Sequence, residues 1–140
     1  EAYVAPPEVI EDMKEVLSTL KQFDIVQYLN AKCKSQEMEG AEKIYAQCPV
    51  DRGDGTHDIY LYKGRGCQEC GYTGYIGRIG IFEVLKVTEK IGRMILENQS
   101  TDEIEDEAVK NGMVTMVQDG YLKALEGITT VEEIMRVSRD

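Results

Sequence analysis

Two cysteines at C-x-x-C spacing, Cys67 and Cys70, lie inside GRGCQECGYTGYIGR, residues 64–78. A turn of this kind delivers two thiolates from one tight loop, which is half of a tetrahedral zinc site. Gly66, Gly71 and Gly74 stand where a knuckle turn needs backbone freedom. A second pair would make the signal strong, but Cys33 and Cys48 are isolated from one another by 15 positions. Two other chemistries compete for the pair. One is a couple of unliganded thiols in a glycine turn. The other is a redox dithiol, which opens a helix in a βαβ unit, whereas this pair follows a hairpin strand. No secretory signal opens the chain, so the four cysteines are expected as thiols or metal ligands rather than disulfides.

The remaining candidates carry less chemistry. His57, the single histidine, falls in a turn-rich loop with no nucleophile arranged around it. The Arg52-Gly53-Asp54 triplet reads as turn residues. Glu83 stands among aliphatics and needs a partner, for which Arg78 or Arg65 is available; a paired structural charge is favoured over an active-site carboxylate. No G-x-x-x-x-G-K-[ST] run is present to cradle phosphates, so these residues are not expected to hydrolyse ATP. The formal net charge of −10 argues against nucleic acid or an anionic membrane surface as a direct partner. No apolar run approaches the roughly 20 residues that span a bilayer.

The elements around the cysteines follow from periodicity. Residues 1–35 read as helical: Pro6 and Pro7 suit a helix start, Val9, Met13, Val16, Leu17 and Leu20 form one apolar stripe, and Asp24 is placed to cap a second helix. Residues 41–63 change to period two, with Ile44, Ala46, Cys48 and Val50 alternating before the turn-rich DRGDGTH and the strand-forming DIYLYK, which predicts a β-hairpin with a long loop. Residues 78–87, RIGIFEVLKV, read as a strand with Ile79, Ile81, Glu83 and Leu85 on one face.

From Thr88 onward the period is helical. Thr88 caps a helix with Ile91, Met94 and Ile95 inward. Ser100-x-x-Glu103 and Thr130-x-x-Glu133 are capping boxes. Met113 to Ile128 keeps one stripe, and Gly112 and Gly127 end helices. The Met113–Met116 stripe is read as core rather than a partner groove. The expected class is α+β: N-terminal helices, a small β element with a cysteine knuckle, and a C-terminal helical bundle. Residues 1–87 form the helical insert with the β/zinc-knuckle region, and 88–140 the C-terminal helical subdomain.

The runs YKGRGCQECGYTGYIGRIGIFEVLKV and NGMVTMVQDGYLKALEGITTVEEIMRV closely resemble the C-terminal end of the type II secretion and type IV pilus assembly ATPases. The resemblance covers about residues 60–138. It rests on the spacing Cys67-x-x-Cys70-x-x-x-Gly74-Tyr75-x-Gly77-Arg78-x-Gly80-x-x-Glu83, and on Gly112-Met113, Asp119-Gly120 and Gly127-Ile128-Thr129-Thr130-x-Glu132-Glu133.

In that family the zinc domain carries two C-x-x-C pairs, and EAYVAPPEVIEDM looks like the segment just after the first. The resemblance therefore implies that Cys67 and Cys70 are half of a Zn2+ site whose other half precedes Glu1. It implies that the chain is an excised part of a motor whose ATP and Mg2+ are bound upstream. The implied partners are the parent homohexamer and an inner-membrane platform protein, with no direct membrane insertion, at the cytoplasmic face of the membrane. The competing class is a free-standing zinc-ribbon-like interaction domain, and a P-loop upstream of Glu1 separates the two.

Overall fold

The computed structural model describes residues 1–20, 23–35 and 46–138. The elements in chain order are β1 (Ala2–Val4), α1 (Pro7–Leu17), α2 (Ile25–Ser35), β2 (Val50–Asp51), β3 (His57–Asp58), β4 (Tyr60–Tyr62), α3 (Glu89–Leu96), α4 (Thr101–Lys110), α5 (Met116–Leu125) and α6 (Val131–Val137). Helices and two small antiparallel sheets make the fold α+β, as expected.

The first departure is at the start. Residues 2–4 are a strand, paired with β4 in the register Ala2–Tyr62, Tyr3–Leu61 and Val4–Tyr60. Pro6 (φ −58°, ψ 143°) keeps the chain extended up to the helix, so α1 begins at Pro7. The hairpin is also rearranged. β2 pairs with β3 through Val50–Asp58 and Asp51–His57, while β4 turns away to β1. Asp51 accepts the Gly53 amide and Asp54 the Thr56 amide, so the turn holds itself and leaves room for only a two-residue ladder. Ile44, read as part of this hairpin, lies outside the described residues.

The main core gathers Met13 and Leu17 of α1, Ile25 and Leu29 of α2, Ile59 and Leu61 beside or in β4, Tyr121 and Leu125 of α5, and Ile134 of α6. The α1 stripe thus faces inward as its spacing predicts. Asp24 Oδ1 caps α2 by accepting the Gln27 amide at 2.8 Å. A second, smaller cluster joins α3 to α4 through Ile91, Ala108 and Met113. Met113 is therefore core, but Met116 is 46% exposed, so the methionine stripe splits.

Capping fixes the C-terminal helices. Ser100 and Glu103 form the predicted reciprocal box on α4. Thr115 and Gln118 form a second box on α5, which starts at Met116 rather than Met113. Thr130 accepts the Glu133 amide, giving α6 its cap. Ile95, expected inward, is about half exposed.

Candidate functional site

The loop that carries Cys67 and Cys70, the expected knuckle, is built by glycine against glycine. Gly66, Gly71, Gly74 and Gly77 all have positive φ, and Tyr72 joins them at φ 64°. A Cβ on Gly64 would come within 2.2 Å of the Gly74 carbonyl oxygen, and one on Gly66 within 2.6 Å of the Tyr72 carbonyl oxygen. These approaches fold the loop back on itself. The Tyr72 amide donates to the Cys67 carbonyl at 2.8 Å, closing the turn between the cysteines.

The closed turn brings the sulfurs of Cys67 and Cys70 to 3.6 Å. The edge of a zinc–thiolate tetrahedron with metal–sulfur bonds of about 2.3 Å is about 3.8 Å, so the pair fits two corners. The Cys70 sulfur also accepts the Cys67 amide at 3.0 Å and the Gly74 amide at 3.3 Å. Those two N–H groups lower the Cys70 thiol to about 7, so much of it is thiolate at neutral pH. Among the described residues no group of three or more His, Cys, Asp or Glu side chains converges to hold a metal. The chain thus presents a two-thiol donor set, fit for half a site.

Cys33 and Cys48 depart from expectation: they are joined as a disulfide, with α carbons 5.4 Å apart. The spacing of 15 residues gave no hint, because the pairing depends on how α2 and the chain before β2 meet in space. His57 lies in β3 opposite Asp51, and the Arg52-Gly53-Asp54 triplet forms the β2–β3 turn, with Arg52 pairing to Asp58.

Downstream of the knuckle, residues 76–87 run as a ribbon. The sequence predicts a strand here, but among the described residues none of its backbone groups bonds to other backbone. Without a neighbouring strand, period-two patterning alone makes no ladder. Phe82 is 67% exposed, Val84 76% and Val87 63%. Ile81 is the inward member, packed on the main core.

The ribbon is pinned at a few points. The Tyr75 hydroxyl and Thr130 Oγ1 lie 2.8 Å apart. The Phe82 amide donates to Asp119 Oδ2 at 2.8 Å. Glu83 Oε2 accepts the Met116 amide at 3.3 Å, at the start of α5. Glu83 is therefore a helix-terminus acceptor rather than an arginine partner; Arg65 reaches Glu1 instead, at 3.0 Å.

Sequence reading missed two polar anchors. The Gln118 side-chain amide donates to the Val16 carbonyl at 2.9 Å, tying α5 to α1. Its Thr115-x-x-Gln118 spacing was a readable signal. Buried Glu126 accepts the Tyr28 hydroxyl and pairs with Lys32 at 2.5 Å, tying α2 to the end of α5. No local pattern announces a contact across 98 residues.

The profile described as "Type II/IV secretion system protein" matches residues 11–136, taking in the knuckle, the ribbon and all four C-terminal helices. The chain belongs to this family. Its type II/IV secretion relatives include the type IV pilus assembly ATPase PilB of Thermus thermophilus, 49% identical over 75 residues, which are 54% of this chain and 8% of the relative. The type II secretion system protein E of Xanthomonas campestris is 42% identical over 83 residues, 59% of this chain and 14% of the relative. That of Klebsiella pneumoniae is 33% identical over 114 residues, 81% of this chain and 22% of the relative. The chain thus spans less than a quarter of the length of these type II/IV secretion relatives. Among the described residues no helix is long and apolar enough to cross a membrane.

Proposed function

We propose that this chain is the C-terminal part of a cytoplasmic motor ATPase that powers type IV pilus assembly or type II secretion at the inner face of the membrane. Its share of the work is assembly of the homohexamer and transmission of motion to an inner-membrane platform protein. Nucleotide binding belongs to other parts of the motor, in keeping with the missing phosphate loop. The observation that carries this reading is the ribbon. Phe82, Val84 and Val87 are exposed on a segment whose backbone, among the described residues, bonds to no other backbone, so an apolar row is left for a partner to cover. Family membership and relatives named as ATPases support the motor context.

Cys67 and Cys70 supply two thiolates of a Zn2+ site that a second C-x-x-C pair completes. Zinc there would staple the knuckle that feeds the ribbon, without touching nucleotide. The test uses the longer parent protein carrying Val84→Asp, compared with wild type by light scattering, ATP turnover and zinc content. Loss of the hexamer together with at least a tenfold fall in turnover, with zinc retained, is expected. An intact, fully active hexamer would overturn the assembly role. Stoichiometric zinc bound equally by the 140-residue chain alone would overturn the half-site assignment.

A further inference from the structure

The Cys33–Cys48 disulfide lies far in sequence from the knuckle, and nothing in the reading above uses it. It links the last turn of α2 to the chain that leads into β2. Cys48 is exposed and Cys33 half-buried, so a reductant reaches the bond from the Cys48 side. Both attachment points matter to the fold. On one side, α2 buries Ile25 and Leu29 in the main core and sends Tyr28 and Lys32 to buried Glu126. On the other, Ala46 is buried in that same core two residues before Cys48.

We propose that Cys33–Cys48 is a site of reversible thiol–disulfide exchange, opened by dithiol reductants, and that its redox state sets how firmly α2 is docked on α5. An 11-residue helix is marginal by itself, so α2 depends on such attachments. One thiolate of the reductant attacks the Cys48 sulfur, breaking the bond to Cys33 and leaving Cys33 as a thiolate. The second thiol of the reductant then attacks its own sulfur in the mixed disulfide and releases Cys48 as a thiolate. The reductant leaves as a cyclic disulfide, two electrons pass to the protein, and its two thiol protons end on Cys33 and Cys48. Oxidised glutathione reverses the change, releasing two equivalents of reduced glutathione.

Opening the bond frees the C-terminal turn of α2 and with it the Lys32 contact to Glu126. The α3–α4 pair rests on its own cluster and is untouched.

The experiment treats the 140-residue chain with graded ratios of reduced and oxidised glutathione, or with dithiothreitol, without denaturant. Peptide mapping follows the Cys33–Cys48 crosslink separately from Cys67 and Cys70, and hydrogen exchange is read in both states. The crosslink is expected to form in oxidised glutathione and open in dithiothreitol, with amides of residues 28–35 exchanging at least tenfold faster once it opens and α4 changing less than twofold. The pair Cys33→Ser, Cys48→Ser should show the fast exchange in both buffers. Failure of the crosslink to form, or its opening only in denaturant, would overturn the exchange site. Unchanged α2 exchange, in the reduced chain or in the serine variant, would overturn the docking control. Neither outcome bears on the motor reading, which rests on the ribbon and the knuckle.

Discussion

At Cys70 the reactivity of the knuckle comes from two backbone N–H groups aimed at one sulfur. They hold the folded thiol at about 7, below the roughly 8.5 of an unfolded cysteine. Because the folded value is the lower one, the stabilisation is fully present above the unfolded value and is lost as pH falls through about 7. Alkylation of Cys70 by iodoacetamide, followed by mass spectrometry, should therefore rise to half its maximum near pH 7, and move toward pH 8.5 in urea. A folded-state midpoint matching the urea midpoint would show that the two amides do not act on the sulfur. Gly120 offers a second test at this scale. A Cβ there would lie 2.8 Å from both Cδ1 and Cγ2 of Ile134, which is buried between α5 and α6. Alanine gains about 1 kcal/mol of helix propensity over glycine, but overpacking costs about 1–3 kcal/mol. Gly120→Ala should thus lower the urea midpoint, and adding Ile134→Val should recover part of the loss.

At the level of elements, what the sequence makes legible depends on how far each element must look for its partners. Helices α3, α4 and α6 are read from the chain because their caps act within three residues: Thr88, Ser100 and Thr130 each accept an amide from the third residue on. The tight turn at Cys67–Cys70 is legible for the same reason, since the glycines around it stand at positive φ. β1 was hidden because three residues, AYV, carry no pattern of their own and take their strand character from Tyr60–Tyr62. The ribbon was misread in the opposite sense: alternation in RIGIFEVLKV is real, but a ladder needs a second strand, and none is present among the described residues. Charge alone pairs Glu83 with an arginine, yet its carboxylate accepts the Met116 amide at the start of α5. Compartment argues against a disulfide, but says nothing about which sulfurs a fold brings within bonding range, as it does for Cys33 and Cys48.

Among the described residues, apolar groups gather in a main core shared by α1, α2, β4, α5 and α6, in a small cluster between α3 and α4, and in the outward row of the ribbon, with Leu96 of α3 and Tyr72 exposed besides. The first two are protected from water. The third makes the chain, taken by itself, colloidally fragile. A segment that exposes an apolar row and pairs with no strand is a template for like-with-like stacking, and what keeps copies apart is mutual repulsion from a net charge of −10. That barrier shrinks as pH approaches the isoelectric point near 4.6, and with added salt. Turbidity of the purified chain should be low at pH 8 in dilute buffer, rise steeply between pH 6 and 5, and rise at pH 8 when about 1 M salt shortens the screening length to about 3 Å. Val84→Lys, a charged gatekeeper in the middle of the row, should suppress the salt-induced clouding while leaving the helical circular dichroism signal unchanged. Clouding unaffected by that change would mean that precipitation starts from some other surface.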